Sequence, residues 1–179
     1  MPPDTIPIAG VGPEPELHRP VAVDRVGPRG HEVELQATVA ECAAVAIRLL
    51  LPSIAALRCR FQLQPLPGGR IAASGALKAV LSQVCVVTLE PFTAMVEEAF
   101  RVRFVPQGRE SDDPDPEADD EIPYSGATID LGEAAVEQLA LALDPYPRAP
   151  GAVLPDEARD DPASPFAGLA DLRGGSQIS

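Results

Sequence analysis

The sequence has few of the residues on which metal sites, disulfide frameworks and base-stacking surfaces depend. Among its 179 residues there are no tryptophans, two histidines and three cysteines, and aromatic residues make up 4%. The cysteines are far apart and form no Cys-x-x-Cys pair, which excludes a zinc ribbon and a disulfide framework and indicates a reducing compartment. We therefore expect no metal, no cofactor and an aliphatic core in which Cys42, Cys59 and Cys85 are buried as free thiols.

Signals for export and membrane insertion are also missing. Met1–Pro20 has no basic region followed by an apolar one, and it carries acids that a transit peptide avoids. The most apolar stretch, Cys42–Leu57, is short and is interrupted by Arg48 and Pro52. These features exclude a membrane span and predict a cytoplasmic protein with no membrane partner.

Charge of one sign dominates what is present. The chain has 27 acidic residues against 14 lysines and arginines, a formal net charge of -13 and a pI near 4.4. Eight of the acids lie between Glu110 and Glu121, where there is no base. This stretch lacks the glycine and the spacing of an EF-hand, so we predict a solvated acidic loop over residues 107–121 rather than a calcium site.

Hydrophobic periodicity predicts both strands and helices. Strict alternation marks Leu57–Gln64 as a strand, and a meander of up to four strands is expected over Leu57–Val105, with a turn at Pro67-Gly68-Gly69. Of its other three segments, the first begins at Ile71, the second spans Val84–Leu89 and the third spans Phe100–Phe104. A separate hairpin is expected between Val21–Val26 and Glu32–Ala37, across Gly27-Pro28-Arg29-Gly30.

Two helices are expected from their capping residues. Thr38 followed by Glu41 forms a capping box, which predicts a helix over Val39–Leu51 that exposes only a narrow stripe. Asp130 predicts the start of a second helix, with Glu133 at its third position. The apolar stripe of that helix is Leu131, Ala135, Val136, Leu139 and Leu143.

Together these elements predict the fold class α+β, with an antiparallel meander sheet packed against two helices. The chain length suits one domain, over about residues 20–150. Residues 1–19 are expected to form a disordered arm, and residues 151–179 a disordered tail with a short apolar segment at 164–172. Within that segment Phe166, Leu169 and Leu172 recur every three residues, which suits either docking of a short helix on a partner or an idle tail.

Six basic residues of the meander have the phase opposite to the apolar residues of their own segments, so we expect them to face one side of one sheet. They are Arg58, Arg60, Arg70, Lys78, Arg101 and Arg103. Phosphate contacts dominate affinity for nucleic acids, so this face is the candidate surface for RNA. The alternative is an ordinary solvated face on which these bases pair with Glu90, Glu97 and Glu98.

Candidates for catalysis are weak. The sequence has no Gly-x-Ser-x-Gly motif, and the glycines before Arg70 are not followed by the lysine and serine or threonine of a phosphate-binding loop. Glu133 and Glu137 stand one helical turn apart, which suits acid-base chemistry but is more typical of a solvated helix face. We therefore predict that the protein is not an enzyme and binds no small-molecule substrate.

Several segments together resemble one protein family. The run Gln83–Pro91, the acidic stretch, the run Ile129–Glu133 with Glu137-Gln138-Leu139, and Asp144–Arg148 resemble the YceD family, the large ribosomal RNA subunit accumulation proteins. The positions that carry this resemblance are Cys85, Leu89, Glu90, Pro91, Asp130, Leu131, Glu137, Gln138, Pro145 and Tyr146. One departure is that Val87 and Thr88 stand where many members have Arg and a second Cys, which puts a metal or redox role of that pair in doubt.

The resemblance implies a function that periodicity and charge would not have named. It implies a non-enzymatic bacterial factor that supports the synthesis, processing or stability of large-subunit ribosomal RNA. Because an acidic surface attracts basic proteins and repels phosphate, we expect it to act mainly through protein partners, namely precursor particles or ribosomal proteins of the large subunit. The alternative is direct binding of ribosomal RNA through the cationic face.

Overall fold

The structure, a computed structural model, describes residues 15–111 and 119–153. A five-stranded sheet and a two-stranded sheet are accompanied by two helices. In chain order the elements are β1 (Pro20–Ala22), β2 (His31–Gln36), α1 (Val39–Arg48), β3 (Ser53–Pro65), β4 (Ile71–Val84), β5 (Pro91–Pro106), β6 (Asp120–Tyr124), β7 (Thr128–Asp130) and α2 (Leu131–Ala142). Residues 1–14, 112–118 and 154–179 lie outside the described residues, as do Phe166, Leu169 and Leu172.

The large sheet has the strand order β2-β3-β4-β5-β6. β3, β4 and β5 are antiparallel neighbours in chain order, and β2 pairs antiparallel with β3. The α+β fold is confirmed, and the meander predicted over Leu57–Val105 is confirmed in part, with three strands in that range. The expectation of a purely antiparallel sheet is wrong, because β6 pairs with β5 in parallel. Parallel neighbours need a crossover of about a dozen residues or more, and the acidic segment between β5 and β6 supplies that length.

One predicted strand pairing and one predicted strand are wrong. The segment Val21–Val26 does not form a hairpin with the next strand, because β1 pairs with β7 and Val23–Arg25 forms a turn of 3₁₀ helix. β2 pairs with β3 instead. The apolar run Val84–Leu89 is a turn rather than a strand: β4 ends at its first residue, and the Cys85 amide donates to the Glu90 carbonyl at 2.9 Å.

The capping box of α1 is confirmed. The Glu41 amide donates to the Thr38 hydroxyl, and the Thr38 amide donates to the Glu41 carboxylate at 2.7 Å. The predicted end at Leu51 is wrong, because α1 ends at Arg48 and Leu50 takes a left-handed conformation with φ 55°. The expected narrow exposed stripe is also wrong, since the helix buries only one face, made by Cys42, Val45 and Ala46.

The second helix begins as predicted. Asp130 caps α2 by accepting hydrogen bonds from the amides of Gly132 and Glu133. The buried residues of α2 include four of the five apolar residues expected to face the core, and Leu143 is half-buried. No helix within residues 15–111 and 119–153 is long and apolar enough to cross a membrane.

The core lies between the inner face of the large sheet and the helices. The rings of Phe61 and Phe100 meet edge to face with centroids 5.6 Å apart, and Gly75 leaves the room that Phe100 occupies. The folded region begins before residue 20, because Leu17 is fully buried. It also includes the end of the predicted acidic loop, since β6 begins at Asp120.

Candidate functional surfaces

The structure places the six predicted basic residues on or beside the outer face of the large sheet. Arg58 and Arg60 lie on β3, Lys78 lies on β4, and Arg101 and Arg103 lie on β5, where the alternating residues of each strand are buried on the opposite face. Arg70 stands directly before β4 in the same phase, and its guanidinium donates to the Arg109 carbonyl at 3.2 Å. Pairing of successive strands brings Arg58 opposite Lys78.

Carboxylates neutralise most of this outer face. Arg60 pairs with Glu34 at 3.3 Å and with Glu32 at 3.5 Å, and Lys78 pairs with Glu97 at 2.9 Å. On the far strand, Arg101 pairs with Asp119, and Arg103 pairs with both Asp119 and Glu121. Most of these pairs are exposed, so each contributes little to stability, but together they cancel much of the positive charge of the face.

Arg58 differs from its neighbours, since no carboxylate of the described residues forms an ion pair with it. It lines an open depression of about 250 Å³ with Arg60, Lys78 and Glu34. Further depressions of about 190 and 210 Å³ share residues with this one, so the three form a furrow along β4. The furrow exists because Ser74 and Ala76 are short while the side chains on the adjacent strand β3 are long.

The outer face offers no aromatic side chain for base stacking within the described residues. Phe61, Phe100 and Phe104 all lie in the core. The Tyr124 hydroxyl is bound to the Gly69 carbonyl at 2.6 Å, and Tyr146, which is exposed, belongs to the segment after α2. Proteins that bind single-stranded RNA combine positive charge with aromatic platforms, and this face has only the first.

The origin of the neutralising acids was the part that sequence reasoning missed. Of Glu90, Glu97 and Glu98, the partners considered in the sequence, only Glu97 forms an ion pair with one of the six bases. The other partners come from β2, from β6 and from Asp119 directly before β6. The alternation of Glu32 and Glu34 in β2 was a signal for an acidic strand face, but nothing in the sequence placed that strand beside β3.

The turn between β4 and β5 holds the cysteine of the family-like run. Cys85 is fully buried, and its Sγ accepts a hydrogen bond from the Thr88 amide at 3.5 Å. Hydrogen bonds from the Thr88 hydroxyl and from nearby backbone amides lower the pKa of the Cys85 thiol to about 7. Leu89 completes the turn in a left-handed conformation with φ 59°, and its side chain is exposed.

This turn contacts the segment that follows α2. The Val86 amide donates to the Pro147 carbonyl at 2.9 Å, and the Gln83 side chain donates to the Asp144 carbonyl at 3.4 Å. Two runs that are about 60 residues apart in the chain therefore meet at one end of the sheet. Family-like positions from both runs lie here, namely Cys85, Leu89, Glu90, Pro91, Pro145 and Tyr146, whereas Asp130, Leu131, Glu137 and Gln138 lie at the start and in the middle of α2.

The carboxylate pair considered for catalysis has unequal surroundings. Glu133 binds the guanidinium of Arg48 through both oxygens, at 2.6 and 2.8 Å. Burial and the neighbouring Glu133 raise the pKa of Glu137, an effect that Arg48 partly offsets. Within the described residues no three metal-ligating side chains stand close enough together to hold a metal ion.

A second set of ion pairs connects the N-terminal segment to α1 and to the residue that caps α2. Arg19 binds Glu41 through both carboxylate oxygens, at 2.7 and 2.9 Å, and its own amide donates to Asp130. The Arg19 guanidinium and the Thr38 amide lower the pKa of Glu41 to about 2. His18 also pairs with Asp130, so the residue that caps α2 holds the segment before β1 as well.

Comparison with known families gives one match. The model of the family described as "Large ribosomal RNA subunit accumulation protein YceD" matches residues 73–173, more than half of the chain. The match covers most of β4, all of β5, β6, β7 and α2, and the turn that carries Cys85. No curated protein and no solved structure matches the chain.

Proposed function

Because the chain belongs to the YceD family of large ribosomal RNA subunit accumulation proteins, we propose that it is a non-enzymatic factor of ribosome biogenesis that acts mainly through protein partners. The family description links the chain to large-subunit ribosomal RNA. The observation that favours protein partners over RNA is that the bases of the outer sheet face form ion pairs with carboxylates. A face whose bases are paired with its own carboxylates has little charge left for phosphate. It does not supply the main contact with RNA.

The overall charge supports the same choice. A net charge of -13 attracts basic proteins over long range and repels the phosphate backbone. The proposed partners are therefore basic ribosomal proteins of the large subunit, bound on precursor particles in the bacterial cytoplasm. The protein's contribution is to favour assembly of the particle, and the ribosomal RNA accumulates because assembled RNA is protected.

Direct binding of ribosomal RNA is the second candidate function, and one observation favours it. Arg58 carries no ion pair with the described residues, and it lines the furrow along β4 beside Lys78. An unpaired guanidinium next to an open depression is able to contact a phosphate without first losing a carboxylate partner. In that case a short stretch of RNA backbone would bind along the furrow.

Co-sedimentation with precursor large-subunit particles tests the proposal and separates the two candidates. The protein is to be compared with a variant in which Arg58, Arg60, Arg101 and Arg103 are all Glu. The proposed function predicts that both proteins co-sediment with the particles, and that salt weakens their association only modestly. Loss of the variant from the particles, together with a steep salt dependence for the unmodified protein, would instead establish the RNA-binding alternative. Absence of both from the particles would contradict both.

A further inference from the structure

Strand β5 has a long free edge. It pairs with β4 over Pro91–Phe104, but β6 pairs only with Val102–Pro106. Over Pro91–Arg101 the described part of the chain places no strand on the outer side of β5. An open edge of this length, roughly 30 Å, presents a row of backbone donors and acceptors to any extended chain that reaches it.

The hydrogen-bond register shows which backbone groups are free. The Cys85 amide donates to the Glu90 carbonyl in register with the ladder, and the pairing of β4 with β5 has no register shift beyond it. Hydrogen-bonded pairs alternate along an antiparallel ladder, so the even-numbered residues of β5 bond to β4. The odd-numbered residues point outward, as the bond from the Gln107 amide to the Tyr124 carbonyl of β6 also indicates. Among the described residues, the outward-pointing groups without a strand partner therefore include those of Thr93, Met95, Glu97 and Ala99.

The side chains beside this edge are exposed, and the charged ones among them are acidic. All four outward-pointing residues are exposed, and the exposed fraction of Met95 is 70%. The segment Pro91–Ala99 contains Glu97 and Glu98 and no base, and the acidic stretch between Glu110 and Glu121 follows the far end of the strand. Glu97 already pairs with Lys78 at 2.9 Å, whereas no base of the described residues forms an ion pair with Glu98. An incoming strand thus meets the negative charge of Glu98 and of the acidic stretch, and an apolar contact at Met95.

We propose that the free edge of β5, Thr93–Ala99, binds an extended basic segment of a partner protein as an additional strand of the large sheet. Main-chain hydrogen bonds supply the affinity in such strand addition, and the charges and side-chain contacts supply the selectivity. The inference deepens the proposed function and rests on it for the class of partner, a basic ribosomal protein.

Charge distinguishes this partner from a second copy of the chain and from the segment 154–179. A second copy brings the same pair of glutamates and a net charge of -13 to the edge. The segment 154–179 carries five acidic and two basic residues, so it also repels the edge. A basic extended segment alone has the opposite charge.

The first test uses a defined probe on the full-length protein. A synthetic ten-residue peptide of alternating lysine and valine is compared with the same sequence carrying an N-methyl group on every backbone amide. The two peptides have equal charge, but only the first can form a ladder. We expect at least tenfold weaker binding of the N-methylated peptide, and slowed amide exchange at Met95 and Glu97 with the first peptide. Equal binding of both peptides would overturn the proposal.

The second test changes the edge. Met95→Pro removes an outward amide that makes no bond to β4, and proline is tolerated at such positions of edge strands. Met95→Ala, which keeps that amide, is the matched control. We expect at least tenfold weaker binding of the lysine-valine peptide to Met95→Pro and a change below threefold for Met95→Ala. A dimer that Met95→Pro dissociates, or a peptide that binds only after residues 154–179 are deleted, would assign the edge to the chain itself and overturn the proposal.

Association with precursor particles separates failure of this inference from failure of the proposed function. If the unmodified protein co-sediments with the particles and Met95→Pro does so equally well, the edge is not the contact, and only the inference fails. If the unmodified protein does not co-sediment at all, the proposed function fails, whatever the peptide does. The inference predicts co-sedimentation of the unmodified protein and of Met95→Ala, with loss of Met95→Pro.

Discussion

At the scale of single residues, Glu41 joins the start of α1 to the N-terminal segment. Its carboxylate accepts hydrogen bonds from the Arg19 guanidinium and from the Thr38 amide. The pKa of Glu41 is about 2, against an ordinary value of 4.5, because Arg19 and the Thr38 amide favour the charged form. The folded state therefore binds its proton less tightly than the unfolded state does.

Replacing Glu41 with Gln is expected to lower the free energy of unfolding by about 2 kcal/mol at neutral pH, since a charge-assisted pair and a cap are both weakened. The Glu41 contribution is fully present above pH 5 or so, and it disappears as the pH falls from about 4.5 towards 2. Urea denaturation at several pH values measures both effects. Glu34→Gln, which weakens an exposed pair with Arg60, is the control and is expected to change little. A difference between Glu41→Gln and the unmodified protein that persists unchanged at pH 2 would contradict this account.

Gly132 is a second residue on which the packing of the N-terminal segment depends. A Cβ atom at this position would lie 2.1 Å from the Leu17 carbonyl oxygen, a backbone atom that cannot move without taking the buried Leu17 side chain with it. Gly132→Ala is therefore expected to destabilise the protein by about 2 kcal/mol, despite the better helix propensity of alanine. Gly27→Ala, where a Cβ meets nothing within 4 Å, is the control in the same thermal-melting experiment. Equal melting temperatures for the two variants would show that Leu17 is not packed as described.

At the scale of secondary-structure elements, local signals predicted the helix starts and the central strands correctly. The Thr38 and Asp130 caps and the alternation in β3 depend on neighbours within a few residues, so they can be read from the sequence. The pairing of β1 with β7 depends on a contact between residues more than 100 positions apart. No turn signal reports such a contact, and Gly27-Pro28-Arg29-Gly30 suggested a hairpin that does not form.

The acidic partners of the cationic face were hidden for the same reason. β2 and β6 supply most of them. Both strands pair with the meander without a short turn between the paired strands, so no local sequence signal predicts their position. The apolar residues of the turn after β4 predict a strand, although the bond from the Cys85 amide to the Glu90 carbonyl closes a turn there. Periodicity thus predicted which face each base occupies, but it could not predict what surrounds that face.

The end of α1 allows a prediction for an element. Leu50 is 92% exposed and has φ 55°, which is strained for leucine, and the Leu51 amide bonds back to the Ala46 carbonyl to close the helix. Leu50→Gly is expected to raise stability by about 0.5 to 1 kcal/mol, because glycine adopts this conformation without strain at the cost of a more flexible unfolded chain. Leu50→Ala keeps the strain and is expected to change stability little. Thermal melting compares the two, and a lower melting temperature for Leu50→Gly would refute the strain argument.

At the scale of the whole molecule, the charge is divided unevenly. The bases of the outer face are largely paired with acids of β2, β5 and β6, and the chain has 27 acids against 14 bases. The excess acids include Glu98 beside the free edge of β5 and much of the stretch before β6. A surface of this kind selects basic partners and keeps copies of the chain apart. That division of charge, rather than any single residue, links the fold to a role on ribosomal precursors.

A further prediction for the whole molecule concerns the apolar residues of the segment 164–172, which lies outside the described residues. We expect that changing Phe166, Leu169 and Leu172 to Ser leaves the melting temperature nearly unchanged but weakens association with precursor particles, because the short apolar stripe serves a partner rather than the core. Sedimentation and thermal melting are measured on the same variant. A large fall in melting temperature with unchanged association would place the three side chains in the protein's own core.

Cross-linking within purified precursor particles tests the central claim most directly. The protein is captured on the particles from cells, and its cross-links to protein and to RNA are identified from the same sample. The account predicts that its main cross-links join Thr93–Ala99 and the neighbouring acidic residues to basic proteins of the large subunit. Cross-links that run mainly from Arg58, Lys78 and the rest of the furrow to ribosomal RNA would contradict it.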